Sequence, residues 1–459
     1  MAKREKRKPL PPYFLVILSF ILVIALGSVL LTLPAAHQNG KWGEYIDSLF
    51  IATSATCVTG LSTYSQGLAG ELTFFGQAVV LVMIQIGGLG FFTIFAFIVS
   101  IFQRRLKFKD RLFISQMVNS DNVSQVSKFV RRVIVIVLTC EVIGFLAGLP
   151  VFLSLDGIDV GQKIWKCAFT AISAFNNAGF DNFGQYSLMR IAENPIIYNM
   201  PEWAYYYMLS YIMVLIVVGG ISFVVIIEIF FNRKKPRQWS AFTKIVLLTT
   251  AVLLVVGTGV FMLTDVIHTD MNPFDALFQS VTCRTAGFAS VDQNSLSAAG
   301  KTMSCLLMFI GGSPIGTAGG IKTTTLFMIF LSFVSFIRGK NIVAFKRRYN
   351  RLSVIKAMSL VFLSITIIMT SFMIVMSLEY GREGMTTETI LFEVFSAFGT
   401  TGLSCGITPN LTVGSKVAIS ILMFFGRIGP ISMFQVFQAN MDKEESKHFK
   451  YIETNVTIG

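Results

Sequence analysis

The chain has 459 residues, of which 53% are hydrophobic and only 14% are charged, and its mean hydropathy is +0.67. This composition excludes an ordinary soluble globular protein and indicates an integral membrane protein. The formal charge of +13 would also suit a nucleic-acid binder. The basic residues are segregated along the chain, however, so membrane topology explains them better and no nucleic-acid partner is expected.

Eight apolar segments are long enough to cross a bilayer, which takes about 20 residues. They lie at roughly 13–33, 75–102, 133–154, 205–231, 242–264, 302–337, 354–378 and 415–438. The first could also be a signal peptide. Because its apolar core is about 20 residues long and the following "LTLPAAHQNG" matches a cleavage site only loosely, we interpret it as a span.

The basic residues predict the orientation of these spans. Of the 38 lysines and arginines, 28 lie in alternate loops and the two ends. They occur in "MAKREKRK", the 103–132 loop, "NRKKPRQWSAFTK", "IRGKNIVAFKRRYNRLSVIK" and the C-terminal tail. Cytoplasmic loops retain such residues, so we expect a multi-pass membrane protein with both termini in the cytoplasm. Its basic inner face would also suit the anionic headgroups of membrane lipids.

Few side chains suggest enzyme chemistry. The six cysteines show no CxxC pairing, and the three histidines lie in predicted loops or the tail, so neither metal nor haem ligation is expected. The chain contains no HExxH or GxxxxGK[ST] sequence, and "GGIKTTT" lacks the GK pair of a phosphate-binding loop. We therefore expect no catalysis and no covalently bound cofactor.

Four short stretches of small and hydroxylated residues recur along the chain. They are "SATCVTG", "SAFNNAG", "VTCRTAG" and "SAFGTTG", which end at Gly60, Gly179, Gly287 and Gly402. Their glycines are 119, 108 and 115 residues apart, and a large apolar residue stands ten positions before and one position after each. This regularity indicates a fourfold repeat.

Each repeat is predicted to contain a span, a short amphiphilic helix, a glycine loop and a second span. A short segment between two spans is a re-entrant candidate, and irregular backbone is tolerated at that depth only beside protein or a watery cavity. The predicted fold is an all-α membrane protein in which eight transmembrane helices form four such repeats around one central pore. The predicted units are 1–12 (basic N-terminus), 13–102 (repeat 1), 103–132 (linker), 133–231 (repeat 2), 232–241 (linker), 242–337 (repeat 3, second span broken), 338–353 (linker), 354–438 (repeat 4) and 439–459 (tail).

Glycine loops at membrane depth suggest a chemical purpose. A partly dehydrated cation needs several inward oxygens, which backbone carbonyls provide when side chains do not obstruct them. The hydroxyls of Thr59, Thr285 and Thr401 and the amides of Asn176 and Asn177 would lie near such a ring. Alternatively, each glycine only caps a short helix.

The sixth span is predicted to be broken. Its stretch "FIGGSPIGTAGGIKTTT" holds five glycines and Pro314, and both residue types are costly inside a helix. A kink packed against neighbouring helices is the alternative.

Several charged residues fall within the predicted spans, where charge is a functional hypothesis by default. Arg427 could position the broken segment or limit ion traffic by repulsion, whereas Lys322 could instead snorkel to the interface. Arg284 borders the third loop, and its side chain is expected to point behind that loop, where it could pair with Glu393 in the fourth short helix. Glu141 and Glu228 receive no role.

The residues resemble a known family closely. "NNAGF", "RTAGF", "FSAFGTTGLS", "IQIGGLGF" and "FFGRIGP" are similar to motifs of the Ktr-type potassium transporter membrane subunits, within the Trk/Ktr/HKT superfamily, and the resemblance covers nearly the whole chain. The start of the chain, within a dozen residues of the first span, favours the Ktr branch over the Trk type. Glycine in all four filter positions favours potassium over sodium.

The resemblance implies the site residues. The selectivity filter would comprise Cys57, Val58, Thr59, Gly60, Asn176, Asn177, Ala178, Gly179, Arg284, Thr285, Ala286, Gly287, Gly399, Thr400, Thr401 and Gly402. An intramembrane gate beneath it would comprise Gly311, Gly312, Ser313, Pro314, Gly316, Thr317, Ala318, Gly319, Gly320 and Lys322, together with Arg427. The only metal expected is K⁺ at the filter.

The resemblance also implies partners. The chain would form a homodimer and dock on a cytosolic RCK-type regulatory ring of the Ktr kind, which would bind ATP or ADP, so the nucleotide would lie on the partner. Potassium would be the substrate, sodium dependence is possible, and the location would be a bacterial plasma membrane. The competing interpretation is a sodium- or proton-coupled secondary transporter, whose broken spans also mark binding sites.

Overall fold

The computed structural model describes residues 12–89, 126–232, 235–269 and 271–429, and these residues are mostly helical. Parts of several sequence predictions lie outside the described residues. These are the N-terminus, most of the 103–132 linker, the ends of the spans at 75–102 and 415–438, and the C-terminal tail.

The first repeat begins with the apolar helix α1. Its helices are α1 (Pro12–Thr32), α2 (Tyr45–Cys57), the short α3 (Gly67–Glu71) and α4 (Phe74–Leu89). From Phe50 to Cys57 every residue of α2 is buried, so this short helix lies inside the protein and not along its surface.

The second repeat has the same order but its last span is interrupted. Its helices are α5 (Val126–Leu153), α6 (Val160–Asn176), the short α7 (Pro195–Tyr198), α8 (Glu202–Gly220) and α9 (Phe223–Asn232). The side chain of Asp159 accepts from the Gly161 amide at 2.9 Å and so caps α6. Two residues, Ile221 and Ser222, separate α8 from α9.

The third repeat is broken in its last span. Its helices are α10 (Ala241–Phe261), which continues as a π-helical turn (Met262–Val266), α11 (Pro273–Thr282), α12 (Ala298–Phe309) and α13 (Thr323–Ile337). The glycine-rich residues between Phe309 and Thr323 therefore form no helix.

The fourth repeat follows a two-residue hairpin, in which β1 (Val343–Ala344) pairs antiparallel with β2 (Arg347–Arg348). Its helices are α14 (Arg351–Leu378), α15 (Thr387–Gly399) and α16 (Val413–Ile428). Thr386 caps α15 through a reciprocal pair of hydrogen bonds with Thr389, at 3.0 and 3.2 Å.

In the described part of the chain, four helices are long and apolar enough to cross a membrane. They are Phe129–Leu153, Glu202–Gly220, Ala241–Val266 and Arg351–Leu378, and four shorter apolar helices accompany them. Together they agree with a multi-pass membrane protein. The full set of eight predicted spans is not established by helix length, because two predicted spans run beyond the described residues and two are broken.

The helices close on one another in a ring. The last span of each repeat packs on the short helix of the next, since α4 contacts α6, α8 contacts α11, α12 contacts α15, and α16 returns to α2. The four short helices are thus surrounded by spans from two repeats each, and their C-terminal loops meet at the centre.

Candidate functional site

The four glycine loops share an unusual backbone conformation. Two positions before each glycine, the residue has a positive φ. These residues are Val58 (58°), Asn177 (57°), Thr285 (68°) and Thr400 (49°). The glycines are also positive, at 99°, 69°, 82° and 93°. Left-handed backbone is unfavourable for residues other than glycine, above all for β-branched ones, so its repetition at one position marks a conformation that the surrounding fold enforces.

Hydrogen bonds tie each loop back onto its short helix. In the first loop the Thr59 amide donates to the Ser54 carbonyl at 2.8 Å, and the Gly60 amide donates to Ser54 Oγ at 3.1 Å. The fourth loop repeats both bonds around Ser396, at 2.9 and 3.1 Å. Because the loop amides donate to the short helix, the loop carbonyls can point away from that helix.

The second and third loops use related bonds. The hydroxyl of Ser173 donates to the Phe180 carbonyl at 2.5 Å. The third repeat has valine at the position of these serines, and Thr282, one residue later, donates to the Phe288 carbonyl at 2.7 Å. The third short helix therefore approaches its loop in a register shifted by one residue.

The four loop glycines lie next to one another in cyclic order. A methyl group added to Gly60 would lie 2.9 Å from Gly179 Cα, one added to Gly179 would lie 2.9 Å from Gly287 Cα, and one on Gly402 would lie 2.9 Å from Gly60 Cα. A methyl group on Gly287 would lie 3.2 Å from Gly402 Cα. Each glycine therefore faces the loop of the next repeat, and any side chain would overlap backbone there.

The oxygens of these loops have few protein partners. Among the described residues, no hydrogen-bond donor reaches the carbonyl oxygens of Thr59, Ala178, Ala286 or Thr401. The hydroxyls of Thr59, Thr285, Thr400 and Thr401 are also buried without a partner within the described residues. A concentration of buried acceptors without donors is the arrangement in which a cation can be held.

The two asparagine side chains at the start of the second loop point away from the ring. The Asn176 amide donates to Glu141 Oε1 at 2.9 Å. With its amide oriented to satisfy its neighbours, Asn177 donates to the carbonyls of Ala174 and Ile216 at 3.1 Å each. The two amides predicted beside the ring are therefore engaged behind it.

The predicted pairing of Arg284 with Glu393 is not formed. Glu393 is fully buried and accepts a hydrogen bond from Thr408, and none of the ion pairs between described residues joins it to Arg284. The guanidinium of Arg284 borders a small cavity beside Gly220 and Gly312, behind the third loop.

Residues 310–322 form a loop directly beneath the ring; we call this segment the gate loop, after the gate that was predicted there. Thr317 Oγ1 donates to the Phe175 carbonyl, at the end of the second short helix, at 3.3 Å. A methyl group added to Gly319 would overlap Thr400 Oγ1 in the fourth loop. The gate loop thus touches the second and fourth repeats at the level where their short helices end.

Two basic side chains hold the gate loop. The ammonium of Lys322 donates to the carbonyls of Ala318 and Gly319 at 2.7 and 3.2 Å, so it is bonded to the loop and does not snorkel. The guanidinium of Arg427, in α16, donates to the carbonyl of Thr317 and to the carbonyl of Gly87 at the end of α4. Arg427 therefore links the gate loop to the first repeat.

The sequence analysis missed the partner of the gate loop, the interruption between α8 and α9. The Ser313 amide donates to the Gly220 carbonyl at 3.1 Å, the Thr317 amide donates to the Gly219 carbonyl at 3.2 Å, and the Phe223 amide donates to the Ile315 carbonyl at 2.9 Å. The signal was the glycine pair in "VVGGISF", which a search for broken spans would have flagged.

A wide cavity of about 520 Å³ opens on the side of the ring opposite the gate loop. All four loop glycines line it, together with the acidic residues Asp181 and Asp292. Acidic side chains at the mouth of a narrow passage raise the local concentration of cations.

Comparisons with known proteins agree with this arrangement. The sequence profile of the TrkH family, described as "Cation transport protein", matches residues 11–449. The chain is 34% identical to the potassium/sodium uptake protein NtpJ of Enterococcus hirae, covering 100% of this chain and 99% of that protein. It is 35% identical to the Ktr system potassium uptake protein B of Bacillus subtilis, covering 98% and 97%.

A solved structure shares the fold. The crystal structure of the potassium transporter TrkH from Vibrio parahaemolyticus matches with a TM-score of 0.70 at 14% identity, over 95% of this chain and 86% of that one. The family profile and the full-length relatives agree on the same assignment. The chain belongs to the TrkH family of cation transport proteins, which are membrane transporters and not enzymes.

Proposed function

We propose that the chain takes up potassium through the ring of four glycine loops. The observation that carries this proposal is the cyclic approach of Gly60, Gly179, Gly287 and Gly402, each with a positive φ and each facing the next repeat. Relatives of similar length are named as potassium uptake proteins, which supports the choice of ion.

In this proposal the loop carbonyls replace the water shell of the ion. Carbonyls and threonine hydroxyls of the loops surround the cation, and the C-terminal ends of four short helices add partial negative charge. No catalytic residue is needed. The membrane potential drives K⁺ inwards, contributing about 2.3 kcal/mol per charge for each 100 mV.

The gate loop controls passage. It lies beneath the ring and is held by backbone bonds to Gly219 and Gly220 and by the side chains of Lys322 and Arg427. Because irregular backbone has few bonds of its own to break, the loop can move while the helices on either side remain intact. The positive charge of Arg427 next to the path also opposes a cation until the loop and the side chain shift.

Regulation is assigned to a partner. The relatives are named as components of a Ktr system, and we propose that a cytosolic ring with RCK-type nucleotide-binding subunits docks on this chain and responds to ATP or ADP. We also propose that the chain is a homodimer in which each protomer has its own pore. One relative is named for the uptake of both potassium and sodium, so the proposal includes a dependence of potassium uptake on sodium.

The test is cation flux into liposomes that contain the purified chain, with and without its cytosolic ring. We expect rapid uptake of K⁺ or Rb⁺ that sodium competes with poorly. Replacing Gly402 with serine adds a side chain that overlaps the Thr59 carbonyl, so Gly402→Ser is expected to lose the preference for potassium. Gly406→Ser is the matched control, because Gly406 has a similarly positive φ (83° against 93° at Gly402) but open space around it.

The outcome separates the two functional interpretations. Potassium-selective flux that is lost in Gly402→Ser and kept in Gly406→Ser supports the filter. Sodium flux that the Gly402→Ser variant leaves unchanged would instead support a secondary transporter with broken spans.

A further inference from the structure

A buried carboxylate stands behind the second filter loop. Glu141, in the middle of α5, is only 6% exposed. Its Oε2 accepts from Gln85 Nε2 of α4 at 3.1 Å, and its Oε1 accepts from Asn176 Nδ2 at 2.9 Å. Asn176 Nδ2 also reaches Gln85 Oε1 at 3.1 Å. The three side chains form a closed triangle, which we call the Glu141 triangle.

No protein cation neutralises this carboxylate among the described residues. Neither Glu141 oxygen takes part in an ion pair there, and both accept from amide groups. Burying a carboxylate is costly unless hydrogen bonds and an opposite charge compensate it. The amides supply the hydrogen bonds, and a cation in the ring of glycines, three residues beyond Asn176, would supply the charge.

The triangle is joined directly to the loop that holds Gly179. Asn176 is the last residue of α6, and the left-handed residue Asn177 follows it. On the other side, a methyl group added to Gly88 of α4 would overlap the Asn176 amide oxygen. The orientation of the Asn176 side chain is therefore fixed by α4 and by Glu141, and a change in either is transmitted to the start of the loop.

In the part of the chain that the structure describes, the other three loops lack this hydrogen bond to a carboxylate. The equivalent residues, three positions before the glycine, are Cys57, Arg284 and Gly399, and none of them has a hydrogen bond to a carboxylate among the described residues. Among the described residues, a carboxylate bonded to this position is thus found only in the second repeat, which argues against a packing role repeated in each unit.

We propose that Glu141 is a positioning residue for potassium selectivity, acting on the second filter loop through Asn176. It fixes the Asn176 amide and adds a negative field behind the loop carbonyls. This inference rests on the proposed function, because it requires that the ring of glycines binds the transported cation.

The test is calorimetric titration of the purified full chain with K⁺ and with Na⁺, which reports ion binding without requiring the gate to open. Glu141→Gln keeps the shape and removes the charge. We expect the ratio of potassium to sodium affinity to fall about tenfold, which corresponds to the loss of one hydrogen bond to a charged group. The matched control is Glu228→Gln, at a carboxylate that bonds Ser240 at the far end of its span, and its ratio should stay at the wild-type value.

A double variant separates charge from mere packing. Glu141→Gln with Asn176→Asp moves the carboxylate to the partner position and restores the hydrogen bond, so the affinity ratio should return towards the wild-type value. If Glu141→Gln does not fold, the comparison is between this double variant and Asn176→Asp alone, and the double variant should be the more potassium-selective.

The possible results are distinct. An unchanged affinity ratio in folded Glu141→Gln would overturn the role of Glu141. So would a double variant that is no more potassium-selective than Glu141→Gln or, where Glu141→Gln does not fold, than Asn176→Asp. A wild-type chain that shows no preference for K⁺ over Na⁺ would instead count against the proposed filter itself.

Discussion

The residues before the loop glycines show how much strain the centre of the molecule holds. Val58, Thr285 and Thr400 are β-branched and yet adopt left-handed backbone, a conformation that costs about 1–2 kcal/mol for an ordinary residue. Such strain persists only where the surrounding structure enforces it, and it concentrates at functional sites. Here the enforcing contacts are the hydrogen bonds that tie the loops to the short helices.

Also at the residue scale, the contacts of Arg427 lead to a prediction about potassium flux. Arg427→Gln removes the guanidinium that bonds the Thr317 and Gly87 carbonyls, and it also removes a positive charge beside the proposed ion path. We expect potassium flux into liposomes to rise several-fold, because both changes favour an open gate loop.

Arg382→Gln is the control for this prediction. Its guanidinium is 44% exposed, pairs with the buried Glu379 at 2.6 Å just beyond α14, and has no bond to the gate loop among the described residues. Flux in that variant should match the wild-type chain. Equal flux in Arg427→Gln and the wild-type chain, with both folded, would remove Arg427 from the account of the gate.

At the residue scale, the sequence predicts which residues form the loops but not where every side chain points. The four glycines and their threonine neighbours could be chosen from the sequence because the repeat aligns them without gaps. The direction of Asn176 could not, since it depends on Glu141, which lies more than thirty residues away in the chain. The Glu141 triangle therefore became visible only in three dimensions.

At the scale of elements, the break between α8 and α9 is as important as the gate loop that it holds. Gly219 lies against the second short helix, and an added methyl group would overlap the Phe175 carbonyl. Gly219→Ala is expected to destabilise the folded protein by about 2 kcal/mol, the usual cost of overpacking. The measurement is the melting temperature of the purified chain in detergent.

Gly259→Ala provides the matched control. Gly259 lies within α10, and an added methyl group would meet nothing within 4 Å. Alanine is favoured over glycine inside a helix by about 1 kcal/mol, so this variant should melt at the wild-type temperature or above it. Equal melting temperatures for the two variants would show that the α8–α9 break tolerates a side chain.

The two breaks also show what sequence patterns can predict about elements. Five glycines and a proline made the gap after Phe309 expected, whereas two glycines in "VVGGISF" did not distinguish a break from a closely packed helix.

The register of the third short helix could not be predicted from the sequence pattern either. Its threonine acts in the place of a serine one residue earlier in the other repeats, and only the hydrogen bonds show the shift.

At the scale of the whole molecule, the fourfold repeat explains why the loops meet. The last span of each repeat packs on the short helix of the next, and the fourth repeat returns to the first. Repeat spacing could be read from the sequence, but this order of contacts could not, because periodicity does not say which neighbours touch. Family membership agrees with the predicted resemblance.

The central claim is that the four loops form one cation site, and the most direct measurement is anomalous diffraction from crystals grown in rubidium. We expect Rb⁺ on the axis of the ring, within coordination distance of the carbonyl oxygens of Thr59, Ala178, Ala286 and Thr401. Rubidium sites confined to other parts of the molecule, with none inside the ring, would contradict it.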